Sequence, residues 1–266
     1  MVDAFYVQDG DRFVATGWTR GPWDPGAQHA GPAAALAARC IERLDPPGFQ
    51  VARFTLEVLR PIPIGTLRVE ARAVRTGRQV QFAEAVLLDD GRDVARASSW
   101  RIRPAGDQVP AANLEQPALP PPGGCAPVQP LDPGAGPGYL SAMEWRPAAG
   151  AFFQSPGPAA VWMRMRTPLV LGEEPSPLSR VLVAADSGNG VSAELPFRTH
   201  LFINTELSVH LVRMPEGPWV CLDSITRIAL RGIGLAESVL WDERGRLGRV
   251  AQSLLVARRR EPAAGR

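Results

Sequence analysis

Two distant stretches of this chain repeat one another, and that repetition limits the fold more than any other feature. Ala83-Glu-Ala-Val-Leu-Leu-Asp89 corresponds without gaps to Ala236-Glu-Ser-Val-Leu-Trp-Asp242. The same offset carries Leu59-Arg60 onto Val212-Arg213, Arg96 onto Arg249 and Ser99 onto Gln252. The order of expected elements repeats as well: β-rich runs, one apolar helix, then a run of antiparallel strands. A shared order on both sides points to duplication rather than chance. One helix packed on a strongly twisted antiparallel sheet buries the apolar face of each. Two such units can pair edge to edge, which also covers their edge strands. The expected class is therefore α+β, with two tandem repeats, each a central helix wrapped by an antiparallel sheet.

Read in order, the chain opens with a hairpin signal. Two β-rich runs flank Asp9-Gly10, a pair that type I′ turns prefer. A Gly/Pro loop leads to an Ala-rich helix expected over about 31–44, closed by Asp45-Pro46-Pro47. Strands are expected at about 51–59, 67–76, 80–88 and 94–103. Residues 105–138 lose apolar periodicity and collect Pro and Gly, the composition of a linker running over the surface. The second repeat then covers 139–266, matching a first repeat of 1–104. Its strands are expected at about 141–146, 159–166, 202–212, 219–228, 234–240 and 247–256.

The helix of the second repeat carries the most informative residue. Ser176 suits the N-cap and Pro177 the first helical position. Leu178, Val181, Leu182 and Ala185 form one apolar stripe, and Gly188 and Gly190 are expected to stop the helix. Asp186 shares the buried face, four residues after Leu182, at the end where the helix dipole disfavours negative charge. A carboxylate placed there is either a structural acceptor or a poised base. The first-repeat helix ends Cys40-Ile-Glu-Arg43 with no carboxylate in an equally buried context, so any chemistry is expected in the second repeat.

Several function classes are excluded. The chain has no lysine, and with 29 Arg against 27 Asp and Glu its charge is close to balanced. That removes Schiff-base and P-loop chemistry. Arg258-Arg-Arg260 reads as a solvated end, and no basic stripe with aromatics suggests nucleic acid. Cys40, Cys125 and Cys221 are too far apart in sequence for a C-x-x-C site or a disulfide framework, which suits a reducing, cytoplasmic setting. His29, His200 and His210 lack metal-ligand spacing, so no metal is expected. There is no Gly-x-Ser-x-Gly elbow, no dinucleotide fingerprint in a strand–turn–helix setting, no apolar run of membrane length and no charged leader followed by an apolar run.

Four stretches together resemble the double hot-dog acyl-CoA thioesterases of the thioesterase II type. They are Gln28-His29-Ala-Gly31-Pro; Phe54 to Arg60-Pro61; Val161-Trp-Met-Arg with the later Val183-Ala-Ala-Asp186; and Asn204-Thr205-Glu-Leu-Ser208 through Arg213 and Trp219, closing with Val250-Ala-Gln252. The first looks like the family's Gly-Gly lead into the first hot-dog helix. The resemblance covers nearly all the chain except the linker, and rests on order and spacing rather than on any single stretch.

The resemblance implies a thioester hydrolase of fatty acyl metabolism, without cofactor, acting on acyl-CoA or an acyl-carrier thioester as a cytoplasmic homo-oligomer. In that family an Asp, a Thr or Ser, and a Gln hold the attacking water. Asp186 takes the Asp place, Gln252 the Gln place, and Asn204 stands where the family has Thr. Thr205 is the alternate, although strand alternation sends it to the opposite face. Gly31 and His29 fall to substrate binding. Two other readings stay open: a non-catalytic acyl-CoA or acyl-carrier binding protein, and a hydratase using Asp24 and His29, whose spacing matches the dyad of single hot-dog hydratases.

Overall fold

The computed structural model describes residues 3–106, 109–112, 115–129, 136–152 and 154–259. Its first half contains strands β1 (Tyr6–Asp9) and β2 (Arg12–Ala15), helix α1 (Ala30–Glu42), and strands β3 (Gln50–Val58), β4 (Thr66–Arg75), β5 (Val80–Asp89) and β6 (Arg92–Ile102). One helical turn, α2 (Tyr139–Ala142), opens the second half. It is followed by β7 (Met143–Ala149), β8 (Ala159–Met165), α3 (Pro177–Ala185), the turn α4 (Gly188–Val191), β9 (His200–Asn204), β10 (Glu206–Leu211), β11 (Val220–Ile228), β12 (Ile233–Asp242) and β13 (Gly245–Arg258).

The strands form one antiparallel sheet in the order β1-β2-β4-β5-β6-β3-β10-β13-β12-β11-β8-β7, with β9 also on β13. Its two ends mirror each other about the β3·β10 seam. There Thr55 faces Ser208, flanked by Phe54↔Val209 and Leu56↔Leu207. The offset that aligns the two sequence copies also aligns Thr55 with Ser208, so the ladder is symmetric about this pair. The correspondence extends outward: Ala83 pairs with Ser99 in the first half, and Ala236 with Gln252 in the second. Even the break in the strand at Thr205 has a counterpart, a register irregularity between Val51 and Arg53.

The sheet curls around α1 and α3, which lie antiparallel. Ala33 through Ala38 are all buried, as are Leu178, Val181, Leu182 and Ala185. Small side chains on α1 let the two helices approach closely. Each large aliphatic side chain removed from water here contributes roughly 1.5–3 kcal/mol. A second apolar layer lies on the outer face of the second half, where Trp162, Trp219, Trp241 and Cys221 cluster. The described part of the expected linker covers it. Cys125 is buried in that cluster, the Trp162 indole donates to the Pro120 carbonyl at 2.9 Å, and Val128 bridges to Trp145. The linker is thus anchored to the sheet; residues 107, 108, 113, 114 and 130–135 of it lie outside the described residues, as does Arg260 of the basic tail.

Three local expectations need correction. The first hairpin turns on Gly10-Asp11, since Asp9 pairs with Arg12. Only Gly10 has positive φ, which matches a type II′ rather than a type I′ turn. Residues 139–142 form a helical turn, not the start of a strand. Gly188 and Gly190 do not end the helix either. It stops at Ala185 with Asp186 as C-cap, and a new turn begins at Gly188. A Cβ on Gly188 would lie 2.8 Å from Ser238 Oγ and 3.0 Å from Gln252 Oε1. This glycine therefore serves the close approach of that turn to the sheet.

Candidate active site

Asp186 sits where the C-terminal end of α3 meets the N-terminal end of α1. It is 3% exposed. Its own helix dipole opposes its charge, but the facing dipole of the 13-residue α1 supports it. The Gly31 backbone N–H, in the first turn of α1, donates to Asp186 Oδ2 at 2.9 Å. Sequence-local reasoning sees only the unfavourable dipole, because the favourable one comes from a helix far away in the chain.

The other carboxylate oxygen faces the sheet. Asn204, the last residue of β9, donates Nδ2–H to Asp186 Oδ1 at 2.8 Å. Gln252, fully buried on β13, donates Nε2–H to the same oxygen at 3.3 Å and to the Asp186 carbonyl at 3.2 Å. The Gln252 side-chain carbonyl accepts from Asn189 N–H at 3.1 Å, which fixes its amide orientation. Asn189 in turn donates to the Phe202 carbonyl at 2.9 Å. Thr205 is exposed and its hydroxyl donates to the Ser253 carbonyl at 3.3 Å, so it does not join this group.

His29 places Nδ1 2.9 Å from Asp186 Oδ2. Its ring stacks on Tyr139, with centroids 3.6 Å apart and planes inclined by 7°. Tyr139 donates its hydroxyl to the Val183 carbonyl at 2.6 Å, so Ser187 Oγ, 2.7 Å away, is the donor to Tyr139 Oη. Burial, reinforced by the nearby Asp186 charge, pushes the Tyr139 phenol far above its usual range and keeps it protonated. Asp24 is exposed and lines the cavity that also holds Asp186 and Asn204, with its carboxylate accepting from Gly26 N–H at 2.8 Å in a local turn.

Gly31 is fixed by space. A Cβ there would come within 2.6 Å of the Val183 carbonyl and 3.3 Å of Asp186 Cβ. Only glycine here lets α1 present this N–H to a carboxylate on α3.

Two cavities meet over this group, and Trp23, His29 and Asn189 line both. The first, about 730 Å³, is walled by Trp23, Trp145, Phe152 and Phe197. The second, about 480 Å³, includes Asp186 and Asn204 and is walled by Val58, Ile62, Leu201 and Ile203. Exposed arginines stand at the mouths, Arg198 beside the first and Arg60 beside the second. Among the described residues, no three His, Cys, Asp or Glu side chains are placed to hold a metal, and no helix is long and apolar enough to cross a membrane.

The structure thus gathers Asp186, Asn204, Gln252, Gly31 and His29 within hydrogen-bond reach of one carboxylate. Sequence reasoning missed Tyr139, Ser187 and Asn189. Tyr139 stands at the end of a Gly/Pro-rich stretch, and Asn189 sits between two glycines; neither carries a local signal for its role.

The profile of the acyl-CoA thioesterase C-terminal domain matches residues 122–256, and that of the N-terminal domain matches 19–102. No curated protein matches the chain in sequence. Among solved structures, a hot-dog protein of unknown function from Alicyclobacillus acidocaldarius superposes with a TM-score of 0.75 at 17% identity, covering 98% of both chains. A protein assigned as a thioesterase II from Thermobifida fusca gives 0.75 at 21% identity over 95% of both chains. An acyl-CoA thioesterase II from Mycobacterium marinum gives 0.66 at 15% identity, over 98% of this chain and 96% of that one. These likenesses establish the hot-dog fold, and the two domain profiles, which together span most of the sequence, establish that the chain belongs to the acyl-CoA thioesterase family.

Proposed function

We propose that the chain is a double hot-dog enzyme, with repeats at 1–104 and 139–266, that hydrolyses acyl-CoA-type thioesters with a water activated by Asp186. The observation that carries this reading is the Asp186 carboxylate, buried in the wall of the second cavity and ringed by donors from α1, β9 and β13. A thioester needs an activated water and a polarised carbonyl, and neither a covalent nucleophile nor a metal is required. Asp186 acts as the base. The amides of Asn204 and Gln252 orient the water beside it. The positive end of the α1 dipole can stabilise the oxyanion that develops on the thioester carbonyl. The cavities give the acyl chain and the pantetheine arm separate apolar paths, and the arginines at the mouths offer cations to the phosphates of CoA. An Asn amide donates to water or carboxylate as a Thr hydroxyl would, so the departure at Asn204 is compatible with activity.

The test is thiol release from a panel of acyl-CoAs. Wild type should hydrolyse at least one member, and Asp186→Asn should slow it by about 10²–10⁴-fold without changing the melting temperature by more than a few degrees. Binding without thiol release across the whole panel supports an acyl-CoA binding protein instead. Loss of an enoyl-CoA hydratase activity in Asp24→Ala but not in Asp186→Asn supports the hydratase.

A further inference from the structure

We infer that His29 is a second catalytic residue of this chain, the acid that protonates the departing thiolate. The inference rests on the hydrolytic reading above and assigns the half of the reaction that Asp186 does not perform.

His29 Nδ1 and Asp186 Oδ2 are 2.9 Å apart. Two lone pairs at that separation repel, so a hydrogen lies between them and Nδ1 is a donor. Nδ1 lies 3.3 Å from the Gly31 N–H, but a donor nitrogen cannot also accept from it, and that N–H has its shorter bond to Asp186. The cap of α1 is therefore Asp186, contributed by the other helix, and His29 is released from capping. Its ring is held in place by the stack on Tyr139. Its second nitrogen, Nε2, has no hydrogen-bond partner among the described residues, while the residue borders both cavities. With Nδ1 bound to the carboxylate, Nε2 is the ring nitrogen through which a proton reaches the sulfur of a thioester bridging the two cavities.

Asp186 takes a proton from water as the water oxygen bonds to the thioester carbonyl carbon. The tetrahedral intermediate collapses, the carbon–sulfur bond breaks, and sulfur takes the Nε2 proton. Acid and thiol leave, with Asp186 protonated and His29 neutral. The site resets when Asp186 gives up its proton to solvent and Nε2 takes one.

A general acid matters most when the leaving thiolate is basic, which supplies a direct test. The same acyl group is presented as its CoA ester and as a thiophenyl ester, whose thiolate leaves without help. His29→Asn keeps a side-chain N–H donor beside Asp186 but no group that can act as an acid. It should lower kcat for the CoA ester by about 10²-fold, with KM little changed, and lower the thiophenyl rate less than about 3-fold. His29→Gln provides the same contrast if the Asn variant melts early. Equal losses on both esters, or a change confined to KM, would overturn the assignment and leave His29 as a wall of the cavity. Failure of wild type on every ester would instead sink the hydrolytic reading itself.

Discussion

The two ends of the antiparallel helix pair are built alike and filled differently. At one end α3 delivers Asp186 to the first turn of α1. At the other, α1 delivers Glu42 to the first turn of α3, where Ser176 Oγ donates to its carboxylate at 2.7 Å. The sheet positions that hold Asn204 and Gln252 at the first end hold Val51 and Ser99 at the second, by the same offset that relates the two sequence copies. Val51 is apolar and buried; Ser99 is buried with no partner for its hydroxyl among the described residues. A shared backbone thus offers two carboxylate-to-helix junctions, and only one is furnished with amide donors and an imidazole. On the proposed reading, the chemistry lies in a handful of side chains, not in the fold that repeats them.

The largest expected effect comes from another unequal pair, Asp242 and its counterpart Asp89. Asp242 is inaccessible to solvent. Burial works against its charge, but Arg213 and the Glu216 and Arg244 N–H groups outweigh it and hold the carboxyl below the usual range. Arg60, in the place of Arg213, is exposed. Asp242→Asn should cost about 3–5 kcal/mol at neutral pH, whereas Asp89→Asn should stay within about 0.5 kcal/mol. A carboxyl held low in the fold stabilises it above the unfolded value, near 3.9, and loses that contribution as pH falls through the folded one. Chemical denaturation at falling pH should therefore show the gap between wild type and Asp242→Asn closing below about pH 4.

Gln252→Ser makes the working junction copy the idle one. It strips Asp186 of one amide and leaves the buried Asn189 N–H without its acceptor. Stability should drop by about 1–3 kcal/mol, and thiol release should fall more than about 10-fold. Unchanged turnover would remove Gln252 from the site.

The smallest effect probes the idle junction. Burial pushes the Glu42 carboxyl up, with Ser176 and Arg101 opposing. A raised carboxyl favours the fold when protonated and loses that contribution as pH rises through its folded value. Glu42→Gln should therefore raise the melting temperature by about 1–2 °C at neutral pH, and the difference should vanish below about pH 4. Hydrolysis should be unaffected.

Much of this was legible in the chain itself. The gapless match of 83–89 with 236–242 carried the register that sets Ser99 on Gln252 and the expectation of two units joined edge to edge, though not which residues meet at the seam. Ser176 and Pro177 marked the start of α3, and the stripe from Leu178 to Ala185 placed Asp186 on its buried face. What stayed hidden depends on groups brought together from far along the chain. The dipole that supports Asp186 belongs to a helix 155 residues earlier. The partner of His29 is Asp186 and not the neighbouring Asp24, a choice set by packing that spacing does not record. The glycine at 188 reads as a helix stop because its real reason, the proximity of Ser238 and Gln252, is invisible locally.

The seam between β3 and β10 has one further consequence. Both strands belong to a single chain, so joining them is a loop closure rather than a meeting of two molecules. A site shared between separate subunits comes apart as the protein is diluted. Here Gly31 and Asp186 are parts of one chain, and the hydrogen-bonded group they form is held together by that tether. The tether also frees each half to change alone: a substitution at one helix junction is not forced on the other, as it would be in a pair of identical subunits. That freedom is what allows one end to hold Asp186 while the other holds Glu42.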